Sequence, residues 1–183
     1  AFEKVGGECV FSSEWDKYSQ KTYAENFGEV PHGDITQINE KDIPKFDVLL
    51  AGFPCQPFST IGKRQGFSHP TQGTLFHDVA RIMRTKRNRA FLLENVVGLK
   101  NHDNGRTLNI IEDTLTDLGY SYDYKVLDAA DFGVPQHRSR IYIVGFKSRK
   151  SGRTQFDWPT GNKAHVGVGK FIQTGVKDHS ISK

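Results

Sequence analysis

The side chain that most favours chemistry in this 183-residue sequence is the thiol of Cys55. Cys55 follows the apolar run 46–51 and lies in a turn-forming stretch, GFPCQPFS, where proline and glutamine flank the cysteine. A free thiol has a pKa of about 8.5, and nearby backbone N–H groups or arginines can stabilise the thiolate, which is the nucleophilic form. We therefore interpret Cys55 as a candidate nucleophile. Cys9 lies inside a strand-like stretch and is expected to be an inert structural residue.

A glutamate and two arginines lie at the ends of other apolar runs. Glu94 ends the run 90–94 and precedes Asn95, while Arg138 and Arg140 belong to the motif QHRSR. Alternate residues of an extended segment point to the same side, so the two arginines could line one site. A carboxyl group can act as a general acid. The structural alternatives are an ion pair or a cap for Glu94, and solvated or ion-paired arginines.

The composition fits a globular protein that could bind nucleic acid. The net charge of +4 and the isoelectric point near 9.0 permit an anionic partner without requiring one. No apolar run reaches the roughly 20 residues that a membrane-spanning helix needs, and the first residues do not resemble a signal peptide. The two cysteines have no CxxC spacing, so neither a disulfide framework nor a metal site is expected. We expect an intracellular protein with no membrane partner.

Apolar runs alternate with helical patterns along the chain. The predicted strands are 8–12, 46–51, 90–94, 122–127 and 141–146, and the predicted helices are 15–27, 74–84 and 107–118. This alternation predicts an α/β sheet whose functional residues lie where strand carboxyl ends meet loops. The run 46–51 is typical of a parallel strand buried on both faces. Charged and turn-forming residues then predict that a catalytic domain at 1–147 is followed by a linker at 148–183.

Three motifs in this order, GFPCQPFS, ENV at 94–96 and QHRSR, resemble those of the DNA cytosine-5 methyltransferases of bacterial restriction-modification systems. The resemblance covers residues 1–146. It implies an S-adenosylmethionine-dependent methyltransferase fold, a Rossmann-like mixed sheet with helices on both faces, whose first strand is missing from this chain. It also implies methylation of C5 of cytosine in a specific short duplex DNA sequence, on the nucleoid of a bacterial cytoplasm.

The resemblance gives catalytic roles to four residues. Cytosine C5 is a weak nucleophile, so the thiolate of Cys55 would add to C6 of a base flipped out of the helix and thereby activate C5. Glu94 would donate a proton or a hydrogen bond to N3 of the base. Arg140 would contact the base and the catalytic loop, and Arg138 would serve the surroundings of the active site.

The implied methyl donor is S-adenosyl-L-methionine, which leaves as S-adenosyl-L-homocysteine. A carboxylate just after a strand can bind both ribose hydroxyls, and an indole ring can stack on adenine. By resemblance, the donor-binding residues are Glu14 for the ribose, Trp15 for stacking, Asp34 and Ile35 for adenine contacts, and Phe53, Pro54 and Leu75 for the rest of the pocket. Taken alone, Glu14 and Asp34 would be interpreted as charges at helix N-termini.

The polar stretch 56–73 predicts a long loop, and loops of this length inside a compact domain are usually functional. By resemblance it closes over the flipped base, with lysine, arginine and serine on phosphates and glutamine filling the vacated stack. The predicted DNA-binding residues are Gln56, Ser59, Lys63, Arg64 and Gln65 in the loop, Asn95, which would orient the loop backbone, and Val96, which would pack near the base. Ile61 stands where a close relative would carry serine. An ordinary solvated loop is the structural alternative.

The resemblance stops at both ends of the chain. Family members have a strand and a Phe-x-Gly-x-Gly turn before the position of Ala1, and a recognition domain after the position of Lys183. We expect a fragment that is inactive alone, and the alternative is an enzyme in which a second chain supplies the missing strand and domain. The competing functions are a non-catalytic DNA-binding or regulatory derivative and a transfer-RNA cytosine-5 methyltransferase.

Overall fold

The candidate site is positioned by a small set of regular elements. The structure, a computed structural model, describes residues 2–54, 75–162 and 166–172, so Cys55 and the predicted loop 56–73 lie outside the described residues. The helices are α1 (Lys17–Phe27), α2 (Leu75–Lys86) and α3 (Arg106–Asp117), and the strands are β1 (Val48–Gly52), β2 (Ala90–Val96), β3 (Tyr120–Asp128), β4 (Ser139–Lys147) and β5 (Gly152–Arg153). Short 3-10 helices occupy Phe2–Val5, Ile35–Gln37, Val97–Lys100, His102–Gly105, Ala129–Phe132 and Val168–Lys170.

The strands form one mixed sheet in the order β1-β2-β4-β3-β5. β1 and β2 are parallel, β4 is antiparallel to both β2 and β3, and β5 is parallel to β3. The register pairs Gly52 with Glu94 and Val96 with Arg140. The carboxyl ends of β1 and β2 therefore meet the start of β4 at one end of the sheet, where α/β folds place their functional residues. The predicted α/β class and mixed sheet are confirmed.

The hydrophobic core lies on one face of the sheet, under α2 and α3. The most deeply buried apolar side chains are Phe76, Met83, Phe91, Leu93, Leu99, Ile111, Leu115, Tyr120, Ile141 and Ile143. In α3 the buried positions recur at helical spacing, as expected for an amphipathic helix that packs on a sheet. Among the described residues, no helix is long and apolar enough to cross a membrane.

Close packing between strands requires a glycine in β4. Gly145 is the register partner of Phe91 in β2 and of Tyr122 in β3. A Cβ atom at position 145 would overlap the ring of Phe91 and would lie 2.9 Å from the carbonyl oxygen of Ser121. Because this position carries no side chain, the ring of Phe91 can cross it and pack edge-on against Tyr120, with ring centroids 5.2 Å apart.

The strand predicted at 8–12 does not form. The structure has a single parallel bridge nearby, between Ser13 and His32. No strand among the described residues pairs with 8–12, so this stretch lacks the hydrogen-bonded ladder that would make it a strand. For the same reason Cys9 is exposed, which corrects its interpretation as a cysteine inside a strand.

β1 lies at the edge of the sheet. Leu49 and Ala51 pack against the core, whereas Val48 and Leu50 on the opposite face are 40% and 50% exposed. The prediction that the run 46–51 is buried on both faces is therefore wrong for the described part of the chain. The physical reason is that none of the described elements covers the outer face of this strand.

Part of the predicted linker packs against the sheet. Gly152–Arg153 pair with β3, and Trp158 donates from Nε1 to Oδ2 of Asp123 at 2.8 Å. Phe156 stacks on Phe146 of β4, with ring centroids 6.2 Å apart. The chain thus stays attached to the sheet as far as Trp158, and the domain boundary at residue 147 stays a prediction.

Candidate active site

The centre of the candidate site is an ion pair between two strands. Nε of Arg140 lies 2.9 Å from Oε1 of Glu94, and the two side chains are 21% and 34% exposed. In β2 the side chains of Leu93 and Asn95 face the core, so Glu94 projects from the opposite face, where Arg140 of the antiparallel neighbour also projects. Nη1 of Arg140 also donates to the carbonyl of Ser139 at 2.8 Å, which holds the guanidinium in place. The sequence-based alternative for Glu94, an ion pair, is thus part of the site's geometry.

Gly52 leaves space beside this carboxylate. It ends β1 directly across from Glu94, and a Cβ atom at position 52 would lie 3.3 Å from Oε2 of Glu94. Any side chain here would press on this oxygen. The two residues that follow, Phe53 and Pro54, lead to Cys55. The carboxyl group therefore lies next to the backbone that leads into the cysteine motif.

Asn95 fastens that backbone to β2. Its Nδ2 donates to the carbonyl of Phe53 at 2.8 Å, and its Oδ1 accepts from the N–H of Val96 at 2.8 Å. Asn95 is 3% exposed, and Phe53 is 6% exposed and packs against Phe76 with ring centroids 5.5 Å apart. Asn95 was predicted to orient the loop backbone. Its side chain faces the protein interior, where it binds the Phe53 carbonyl, and it does not reach the surface. Val96 is 44% exposed, as a residue near a bound base would be.

Asp128 is a residue of the site region that sequence reasoning missed. Its carboxylate accepts from the N–H of Ala130 at 3.0 Å, the N–H of Arg138 at 3.1 Å and the hydroxyl of Ser139 at 2.8 Å. These bonds, with that from Ala130 the strongest, lower the pKa of Asp128 to about 2. Asp128 therefore closes the loop between β3 and β4 and sets where β4 begins. The available signal was an aspartate two residues before an N–H that it could cap.

The two arginines of the QHRSR motif do not share one environment. Arg140 lies inside β4, whereas Arg138 precedes the strand and is exposed. The described structure thus brings Arg140, and not Arg138, to Glu94. The prediction that both line one face assumed an extended segment through Arg138, and the bond of its N–H to Asp128 belongs to a turn instead.

The predicted donor-binding residues begin at the Ser13–His32 bridge. The N–H of Glu14 donates to the carbonyl of His32 at 2.8 Å, and the hydroxyl of Ser13 donates to the carbonyl of Gly33 at 2.6 Å. Glu14 and Asp34 follow these bonded residues on the two neighbouring segments. Oε1 of Glu14 accepts from the N–H of Asp16 at 2.9 Å. Asp34 caps the helix Ile35–Gln37. The structural alternative, a charge at a helix N-terminus, is therefore observed for Asp34, whereas Glu14 lies two residues before Asp16, the N-cap of α1.

A cleft of about 670 Å³ opens beside Glu14, between α1 and the carboxyl end of β1. Tyr18, Phe27, Pro31 and Gly52 also line it. Oε2 of Glu14 has no hydrogen-bond partner among the described residues, so the carboxylate can still accept from a ligand. A carboxylate for two hydroxyl groups and aromatic rings for a flat base are the groups that a nucleoside requires, so the chemistry of the cleft fits an adenosine-containing donor.

The other predicted donor-binding residues are not among the residues that line this cleft. Trp15 is 78% exposed next to Glu14, and the ring of Phe53 is buried against Phe76. Pro54 is exposed, and Leu75 at the start of α2 is partly buried against the core. The DNA-binding candidates Gln56, Ser59, Lys63, Arg64 and Gln65, together with Cys55, lie outside the described residues.

The family model described as C-5 cytosine-specific DNA methylase matches residues 1–180. The chain belongs to this family. It is 54% identical over 183 residues to the Type II methyltransferase M.BsuFI of Bacillus subtilis, covering 100% of this chain and 44% of the relative. It is 59% identical over 172 residues to the Type II methyltransferase M.NgoBI of Neisseria gonorrhoeae, covering 94% of this chain and 53% of the relative. The chain thus spans about half the length of these curated relatives, and the predicted resemblance is confirmed.

Solved structures share the fold. A crystal structure of a Spodoptera frugiperda DNMT2 mutant has a TM-score of 0.73 and 23% identity, covering 96% of this chain and 55% of that one. A putative DNA modification methyltransferase encoded within an Escherichia coli prophage has a TM-score of 0.61 and 25% identity, covering 79% of this chain and 41% of that one. The first likeness, at this identity, concerns the fold alone. The family name itself implies that a methyl donor is used.

Proposed function

We propose that this chain carries the catalytic centre of an enzyme that methylates C5 of cytosine in a specific short duplex DNA sequence. The observation that carries the proposal is the pair of contacts at the carboxyl end of β2. Arg140 holds the carboxylate of Glu94, and Asn95 holds the backbone of Phe53, which leads to Cys55. Two neighbouring residues of β2 thus supply an acidic group and fix the segment that leads to a candidate nucleophile. Relatives that are named Type II methyltransferases support the same activity.

Cys55 is the proposed nucleophile. Its thiolate would form a bond to C6 of the cytosine, so that the electron pair of the C5–C6 double bond becomes available at C5 for attack on a methyl group. S-adenosyl-L-methionine supplies this methyl group when bound, with S-adenosyl-L-homocysteine as its product. Loss of the C5 proton to a base and cleavage of the bond between Cys55 and C6 would then restore the aromatic ring and the thiolate.

Glu94 is the proposed acid. Attack at C6 moves negative charge onto N3 and O2 of the base, so a proton or hydrogen bond donated to N3 lowers the barrier. Arg140 contacts Oε1, which leaves Oε2, the oxygen beside Gly52, as the atom proposed to carry the proton. Arg140 would keep the carboxyl group in a fixed orientation and would contact the base and the catalytic loop, and Arg138, which precedes β4, would serve the surroundings of the active site.

The donor is proposed to bind along the cleft beside α1, with Glu14 on the ribose hydroxyls and Trp15 on one face of the adenine. Asp34 and Ile35 would contact the adenine, and Phe53, Pro54 and Leu75 would complete the pocket. Duplex DNA is the proposed partner, and the nucleoid of a bacterial cytoplasm is the proposed location. Gln56, Ser59, Lys63, Arg64, Gln65 and Val96 are the residues proposed to contact DNA, and Asn95 is the one proposed to orient the loop backbone.

The test uses a completed enzyme, in which this chain replaces the matched 183 residues of the Bacillus subtilis relative. This design works whether the remaining segments naturally belong to the same polypeptide or to a second chain. Tritium transfer from labelled S-adenosyl-L-methionine to cytosine C5 is measured on an oligonucleotide mixture rich in short palindromes. Cys55→Ser should abolish transfer and leave DNA binding largely intact, because a hydroxyl group does not form the adduct at neutral pH.

Glu94→Gln should slow transfer by on the order of 10²- to 10⁴-fold while donor affinity changes little, because the amide has no carboxyl proton to give. Cys9→Ser serves as the matched control for replacing a thiol, since Cys9 is exposed and has no proposed role in the reaction. Turnover of the Cys55→Ser variant close to that of the parent would overturn the covalent mechanism. Label found on RNA cytosines instead of DNA would overturn the proposed substrate.

A further inference from the structure

Arg81 joins its own helix, α2, to the stretch 35–40. Its Nε donates to Oδ1 of Asp78 at 2.8 Å, its Nη1 to Oε2 of Glu40 at 2.8 Å, and its Nη2 to the carbonyl oxygen of Ile35 at 2.5 Å. The Arg81 side chain is 28% exposed, so these bonds are partly shielded from water. Burial works against the charge of Arg81, but the bonds to the two carboxylates outweigh it and raise its pKa.

The bond to Ile35 is made at the point where the chain leaves Asp34. Asp34 accepts from the N–H of Thr36 at 2.9 Å and so caps the short helix Ile35–Gln37. The carbonyl of Ile35 also accepts from the N–H of Ile38 at 3.3 Å, which closes this helical turn. The guanidinium of Arg81 therefore binds the first residue of the turn that Asp34 caps. A shift of this turn would move the Asp34 side chain and the Ile35 backbone together.

Arg81 is suited to this role by its shape. The planar fork of a guanidinium can donate in three directions at once, whereas an ammonium group is a point charge that cannot span three fixed acceptors. The pairs with Asp78 and Glu40 orient the fork, which leaves Nη2 aimed at a carbonyl rather than at a charge. α2 also begins with Leu75, so one helix carries both a proposed wall of the donor pocket and the anchor of the turn 34–37.

We propose that Arg81 is a positioning residue for the methyl donor, because it fixes the Asp34–Ile35 turn to α2 in the geometry that receives the adenine. This inference rests on the proposed function, in which Asp34 and Ile35 contact the donor. It adds a residue that touches neither donor nor DNA. Its loss should therefore weaken donor binding specifically rather than slow the chemical step.

The experiment measures binding of S-adenosyl-L-homocysteine by calorimetry and the kinetics of methyl transfer, both with the completed enzyme. Loss of one charge-assisted bond to the turn should raise the donor Kd and KM by roughly 10- to 100-fold in Arg81→Met. With the donor saturating, kcat should stay within about twofold of the parent value, and the KM for DNA should not change. Arg81→Lys should recover only part of the donor affinity.

Lys86→Met is the matched control, because Lys86 is another α2 cation that bonds a backbone carbonyl, that of Lys41 at 3.1 Å, which lies outside the Asp34 turn. It should leave the donor Kd unchanged. If Arg81→Met does not fold, Arg81→Lys and Glu40→Gln decide, since both perturb the same fork more mildly. An unchanged donor Kd in a folded Arg81 variant overturns the proposal, and so does an equal loss of DNA and donor affinity. A parent enzyme that transfers no methyl group would instead refute the proposed function.

Discussion

Removal of the Asn95 carboxamide is the sharpest test of how this fold holds the backbone that leads to its candidate nucleophile. Asn95→Ala deletes the bond to the Phe53 carbonyl and the bond from the Val96 N–H, both 2.8 Å long. The site is 3% exposed, so water does not readily replace the lost partner. A buried polar group that is left unpaired costs about 1–3 kcal/mol, so the Phe53 carbonyl, the buried one of the two partners, suggests a loss of about 1–3 kcal/mol in the free energy of unfolding.

The effect on turnover should exceed what the loss of stability explains. Phe53 would lose its link to β2, and in the proposed mechanism the backbone that leads to Cys55 would then be less well fixed relative to Glu94. Misplacement of a reacting group by about 1 Å can cost on the order of 10²-fold in rate. We therefore expect kcat of the completed enzyme to fall by roughly 10- to 100-fold in folded Asn95→Ala protein, with little change in donor Kd.

Two further variants assign the effect to one bond. Asn95→Asp keeps an acceptor for the Val96 N–H and loses the donor to Phe53, so it should share the loss of turnover. Asn109→Ala is the control for stability, because Asn109 is exposed on α3. Urea unfolding followed by circular dichroism gives the free energies, and single-turnover methyl transfer gives the rates. A rate for Asn95→Asp within twofold of the parent would refute the view that the bond to Phe53 positions the nucleophile.

Three other substitutions probe the surroundings of the site. Asp128→Asn should destabilise the fold most at neutral pH. The folded pKa of Asp128, about 2, is below the unfolded value near 3.9, so the stabilisation by the Asp128 carboxylate is present above about pH 4 and is lost as the pH falls through 2. Urea unfolding at several pH values checks this. Gly145→Ala should lower the free energy of unfolding by about 1–3 kcal/mol through overlap with Phe91, whereas Gly98→Ala, which meets open space, should change it by less than about 1 kcal/mol. Arg140→Lys should reduce kcat about 10- to 100-fold at unchanged donor Kd, because an ammonium group cannot hold the carboxylate and the Ser139 carbonyl together.

Elements with a strong internal pattern could be predicted from the sequence. The helix predicted at 107–118 is α3 (Arg106–Asp117). The strand predicted at 90–94 is β2, which extends two residues further, to Val96. In both, the buried positions are set by a period that local residues carry by themselves. The stretch 8–12 has a strand-like composition but no neighbouring strand in the described structure, and β propensity without a partner does not make a strand.

The contacts of the site depended on information that one stretch of sequence does not contain. Glu94 and Arg140 were each predicted, but their bond follows from the register in which Val96 pairs with Arg140. Arg81 and Asp128 were missed because their partners are distant in the sequence or are backbone groups. Nothing in the pattern of α2 distinguishes an arginine that binds the carbonyl of Ile35 from one that is solvated.

The alternation of side chains in β2 explains why this end of the sheet can carry both core residues and the proposed acid. Leu93 and Asn95 face the core, and Asn95 uses its interior position to fix the Phe53 backbone. Glu94, between them, faces the opposite side, where Arg140 is its partner. A one-residue slip of β2 would bury the carboxylate and expose the carboxamide, so both contacts would be lost at once. The apolar side chains that fix the register of β2 in the core therefore also fix the position of the proposed acid.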